Sequence, residues 1–125
     1  VYKIVTAARD AGVAKAQEVS KGAVCGWEVD RATRDLIEKA GYGAYFIHRT
    51  GHSIFLEDHA DGANMDDYET HDDRELIPGV GFSVEPGIYI SGRIGVRSEI
   101  NMYWGADGPE VTPAQPQRDL ITARG

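Results

Sequence analysis

With 125 residues, 42% hydrophobic, 26% charged and a formal net charge of −7, the chain has the size and composition of one compact globular domain, which excludes disorder, collagen and a pair of ordinary domains. Cys25 is its single cysteine, so an internal disulfide framework is excluded and a reducing, cytoplasmic setting is expected. No apolar run is long enough to span a bilayer and no signal-peptide pattern opens the chain, so neither membrane insertion nor secretion is expected.

The first residues, with Val1, Ile4, Val5, Ala8, Val13, Ala16 and Val19 on one side, predict a helix with a weak point at Gly12. It opens without a capping side chain and without Met, as a cut through a longer polypeptide would. After Ser20-Lys21-Gly22, the spacing of Val29, Ala32, Thr33, Leu36, Ile37 and Ala40 predicts a second helix, with Gly41 placed to end it. Gly43 to Ile47 is aromatic and β-prone, Ser53 to Leu56 suits another short strand, and Asp58 to Asp73 reads as a long polar loop. Between Glu57 and Glu75, nine acids face one base, Arg74, a local balance of −8 that leaves the rest near +1. That charge repels a phosphate backbone, making nucleic acid a poor partner and cations better ones. The plainer reading of the acids is a solvated loop.

From Val80 to Trp104 the pattern changes to period two, with Ser91-Gly92-Arg93 as the turn of a hairpin. A turn centred on Gly92 places Glu85 opposite Glu99 on one face, where like charges are destabilising. Compensation is then expected from Arg97, from a shared proton or from a bound cation. A register shifted by a residue or two would instead leave both acids merely exposed. His48 and His52 are four apart but lack the glutamate of a His-Glu-x-x-His zinc site, and spacing alone reads each histidine as structural more often than ligating. An imidazole combined with carboxylates suits Mn²⁺, Co²⁺, Fe²⁺ or Zn²⁺ better than Ca²⁺, and bridging carboxylates suit a metal pair that promotes hydrolysis. A last turn at Ala106-Asp107-Gly108 leads to Pro109–Thr112 and a polar tail, with no internal repeat or linker.

Taken in order, Glu28-Val29-Asp30, Ala40-Gly41-Tyr42-Gly43, His48-Arg49-Thr50-Gly51-His52, Glu85-Pro86-Gly87-Ile88-Tyr89 and Gly95-Val96-Arg97-Ser98-Glu99 resemble the motifs of the pita-bread metallopeptidases. The similarity is to the carboxy-terminal half of the catalytic domain of an Xaa-Pro dipeptidase (prolidase) or Xaa-Pro aminopeptidase. It runs from the first helix to about Thr112. Gly95-Val96-Arg97 and Tyr89 point to this branch rather than to the methionine aminopeptidases. The resemblance implies an α+β fold, two helices on a curved, mainly antiparallel sheet. It implies a dinuclear site holding two divalent ions, Mn²⁺ first with Co²⁺ or Zn²⁺ as alternatives, with His52, Glu85 and Glu99 as this half's metal ligands. Glu85 would also handle the proton of the nucleophilic water, and His48 and His59 would bind substrate and stabilise the tetrahedral intermediate. Arg97 would hold the acids and substrate, and Tyr89 would line the proline pocket.

The family's two aspartate ligands match no segment here. The N-terminal half of the same catalytic domain is therefore an expected partner, alongside proline-containing di- or short peptides as substrates and a homodimer of the full-length protein. Gly51-His52-Ser53-Ile54-Phe55 stands where the family has Gly-His-Gly-Ile-Gly, and Ile100 follows the last glutamate where an acid is common. Ser53, Phe55 and the acidic segment motivate a second reading, a non-catalytic pita-bread module used for binding.

Overall fold

The computed structural model describes residues 1–54, 62–121 and 123. Helix α1 spans Tyr2–Gln17 and α2 spans Gly26–Lys39. Six short strands follow among the described residues: β1 Ser53–Ile54, β2 Gly81–Val84, β3 Gly87–Ile90, β4 Ile94–Arg97, β5 Ile100–Gly105 and β6 Gly108–Thr112. None of the helices among the described residues is long and apolar enough to cross a membrane.

Helix α1 runs unbroken through Gly12 because that glycine marks a close approach. A methyl group there would meet Thr33 Oγ1 on α2 and Val84 on β2, so the absent side chain lets three elements meet at one point. The buried stripe of α2 is Gly26, Val29, Asp30, Thr33, Arg34 and Ile37, a full three-and-four repeat that includes two charged residues. As expected, Gly41 ends the helix with φ +90°. The β-prone stretch Gly43 to Ile47, in contrast, is not a strand. It opens with a 3-10 turn over Gly43–Tyr45, and the carbonyls of Phe46 and His48 accept hydrogen bonds from the Arg34 side chain at 2.9 and 2.7 Å. A helix side chain has taken the bonds that a neighbouring strand would have supplied.

The strands are antiparallel throughout. They form a four-stranded sheet in the order β1-β2-β5-β6 and a separate pair β3-β4. One register links both: Gly81↔Tyr103 and Val84↔Ile100 in the first, Gly87↔Arg97 and Ile90↔Ile94 in the second, every pair symmetric about Gly92. Gly92 has φ +72° at the tip, as the turn required. The long hairpin is thus one ladder interrupted at Glu85-Pro86 and Ser98-Glu99. Pro86 has no N–H to donate, so only Ser98 N–H to Pro86 O, 3.2 Å, crosses there.

Alternation sorts the hairpin. Phe82, Val84, Ile88, Ile100 and Met102 are buried, pack with the helices in two apolar clusters and leave the odd-numbered residues on the other face.

The acidic stretch is more than a solvated loop over its described part, 62–75. Gly51 and Met65 exchange both backbone hydrogen bonds, each 3.1 Å, and Asp66 and Asp72 are buried. Asp66 Oδ1 accepts the N–H groups of Tyr68 and Glu69. Asp72 accepts the N–H of Asn64 at 2.8 Å and those of Arg74 from backbone and side chain. These acids make turns instead of facing water.

Candidate active site

The β1 edge carries the ladder back beyond Ser53. Ser83 N–H donates to His52 O at 2.9 Å and Glu85 N–H donates to Thr50 O at 2.6 Å. His52 therefore stands opposite Ser83, and Thr50 opposite Glu85. Gly51 between them is forced by space, since a methyl group there would land on the Ser83 carbonyl. With Glu85 and Glu99 symmetric about Gly92, three distant stretches of sequence bring His52, Glu85 and Glu99 to one face.

The two glutamates are mutually unfavourable, as their opposition predicts. Burial, followed by the hydrogen bond and charge of Glu99, pushes the Glu85 carboxyl above the ordinary carboxylate range, while His52 and Arg97 pull against that shift. Arg97 offers little relief, because its Nη2 lies 4.0 Å from Glu99 Oε2 and both side chains are about half exposed, 54% and 43%. His52 Nδ1 lies 3.0 Å from Ser53 O. A carbonyl can only accept, so Nδ1 carries the hydrogen and Nε2 is the nitrogen left to bind a ligand.

His48 is held differently. Its Nδ1–H donates to Arg49 O at 2.7 Å, and its Nε2 accepts from the Tyr89 hydroxyl at 2.8 Å. Burial, with Arg97 opposing and Glu85 assisting, raises the Tyr89 pKa, so the phenol keeps its proton for that bond. Tyr89 folds back over Gly87, where a methyl group would strike its hydroxyl. His59, a candidate for catalysis and substrate binding, lies outside the described residues, as does Phe55.

The donor types suit a divalent transition-metal ion: an imidazole whose Nδ1 is already engaged and two facing carboxylates whose repulsion a cation would cancel. They fit as part of a larger set. Among the described residues no group of three or more His, Cys, Asp and Glu side chains stands close enough to hold an ion alone.

Beneath these residues lies a buried group whose pairing the motifs did not disclose, although Asp30 and Thr50 stand within two of them. Asp30 and Arg34 form a bidentate pair, 2.9 and 3.1 Å, and Asp30 Oδ1 also accepts the Thr50 N–H at 2.9 Å and hydroxyl at 2.7 Å. The signal was present: a carboxylate and a guanidinium four residues apart, bordering the apolar stripe of a helix.

The metallopeptidase family M24 model matches residues 1–104. An Xaa-Pro dipeptidase of Lactobacillus helveticus is 41% identical over 102 residues, 79% of this chain and 25% of that protein. Among solved structures, the prolidase from Thermococcus sibiricus superposes with a TM-score of 0.79 at 34% identity, covering 97% of this chain and 30% of that one. The Xaa-Pro dipeptidase from Bacillus anthracis gives 0.77 at 40% identity, covering 97% and 32%. The two helices and antiparallel strands are those of the pita-bread fold, and the chain spans about a quarter of the length of its curated relatives.

Proposed function

The chain belongs to metallopeptidase family M24, and from that premise we propose that it supplies the carboxy-terminal part of the catalytic centre of an exopeptidase that cleaves the bond before proline in dipeptides or short peptides. The observation that carries this reading is the shared register that sets Glu85 opposite Glu99 with His52 on the same face. His52, Glu85 and Glu99 would hold divalent metal, two ions with Mn²⁺ the first choice and Co²⁺ or Zn²⁺ the alternatives. The remaining ligands, two aspartates, would come from the N-terminal half of the same catalytic domain in the full-length protein. Bound cations would supply a Lewis acid for the scissile carbonyl and make a water acidic enough to ionise near neutral pH.

The chain's own groups divide the remaining work. Glu85 accepts a proton from the attacking water and returns it to the departing proline nitrogen. His48, fixed by Tyr89, and His59 receive the substrate, and Arg97 steadies the acids beside it. A cytoplasmic homodimer is the proposed setting. The test is Mn²⁺-dependent release of proline from an Xaa-Pro dipeptide by the full-length protein, with Glu99→Gln as control. Turnover that falls by about a hundredfold or more in the control supports the reading. Metal-independent turnover overturns it, and an absence of turnover in the parent overturns it in favour of the binding-module alternative.

A further inference from the structure

Asp30, Arg34 and Thr50 are 0%, 5% and 0% exposed. A buried ion pair of this kind is weak evidence of stabilisation, since apolar residues of similar volume often serve as well. What an apolar replacement would not reproduce is its set of bonds to the chain, three to backbone and one to a hydroxyl. Arg34 donates to Phe46 O and His48 O, and Asp30 accepts the Thr50 N–H and O–H. All four lie in the segment 46–50, which has neither helix nor strand. The guanidinium is clamped between the Phe46 and Tyr68 rings, 4.0 and 4.7 Å from their centroids. It therefore acts as a rigid fork.

Each arm of the fork ends at a different candidate site residue. Through Arg34 the chain is fixed at His48, whose ring then meets Tyr89. Through Asp30 it is fixed at Thr50, whose carbonyl receives the Glu85 N–H at 2.6 Å. We propose that the Asp30–Arg34 pair, with Thr50, is a positioning device that references the substrate-binding histidine and the proton-handling glutamate to one buried carboxylate. The proposal rests on the peptidase reading above for the roles of His48 and Glu85. It predicts that the two arms fail differently.

The experiment uses the full-length protein with three variants, and measures kcat and KM for proline release, Mn²⁺ affinity by calorimetry, and thermal midpoint. Thr50→Val keeps the shape and removes the hydroxyl bond to Asp30. It is expected to lower kcat and Mn²⁺ affinity by about tenfold each with KM nearly unchanged, and Thr50→Ser is expected to restore both. Arg34→Lys keeps a charge beside Asp30 but loses the fork, and is expected to raise KM by roughly fivefold with Mn²⁺ affinity retained. Should Thr50→Val fail to fold, the Arg34→Lys split decides alone. Parental kinetics and affinity in both variants, or losses in both that track the thermal midpoint without separating kcat from KM, overturn the proposal. A parent that releases no proline sinks the peptidase reading. The Mn²⁺ titration then decides separately: affinity weakened by Thr50→Val and restored by Thr50→Ser upholds the positioning role, and no difference or no binding overturns it.

Discussion

Ser53 stands where the resemblance to the pita-bread enzymes implies a glycine, and its three polar atoms have different fates. Its N–H donates to Asn64 Oδ1 at 2.9 Å and its carbonyl accepts from His52 Nδ1. Its hydroxyl oxygen is buried with no partner among the described residues. An orphaned buried hydroxyl forfeits its hydration without a return. Ser53→Ala is accordingly expected to stabilise the protein by about 1 kcal/mol in urea denaturation, because the alanine keeps both backbone bonds that orient His52. An equal or lower unfolding midpoint contradicts this.

At the scale of elements, the acidic segment is a buttress. Arg74 grips Asp72, Asp72 accepts the Asn64 N–H, and Asn64 in turn covers the outward N–H of Ser53 on the β1 edge. Burial pushes the Asp72 carboxyl up, but the bonds from Arg74 and Asn64 outweigh it and hold the group below its ordinary value of 3.8. A carboxyl depressed by folding adds stability that is complete above the unfolded value and is lost as pH falls through the folded one. Asp72→Asn is expected to cost about 2 kcal/mol at pH 7. That gap should narrow on acidification from about pH 5 to pH 2 in denaturant titrations, and a gap independent of pH contradicts the role.

What the sequence disclosed at this scale followed the range of the interactions. The hairpin was legible because alternation and the Gly92 turn are local, and together they fix which side chains oppose. Gly43 to Ile47 misled because its bonds go to Arg34, a residue of a different element whose reach no β-propensity encodes. The Asp30–Arg34 pair escaped for the converse reason, since a search for apolar periodicity passes over charges that lie on the same stripe. His52 could be named by its motif, but its place opposite Ser83 depends on the edge pairing of β1, which spacing does not contain.

Over the whole molecule, Arg9 joins parts distant in sequence. It is 1% exposed. Its Nη1 donates to Ser98 Oγ at 2.7 Å and Gln117 O at 2.9 Å, while the other side of the guanidinium pairs with Asp10. One α1 side chain thereby ties the break between β4 and β5 to the C-terminal tail. Arg9→Met keeps the length and loses the bonds, and is expected to cost about 2 kcal/mol and to make the chain beyond Thr112 the first site of limited proteolysis. An unchanged cleavage pattern contradicts that tie. The sorting of the hairpin into a face packed on the helices and a face carrying the acids has an evolutionary corollary. Even-numbered positions such as Phe82, Val84, Ile100 and Met102 answer to the interior, whereas Glu85 and Glu99, the acids proposed to hold metal, burden the fold by repelling each other. Selection on the two faces is therefore separable. In a lineage without the proposed peptidase role, replacing either acid removes the mutual repulsion and replacing the second adds nothing further from it, so a descendant with one acid lost should already outlast its ancestor on heating.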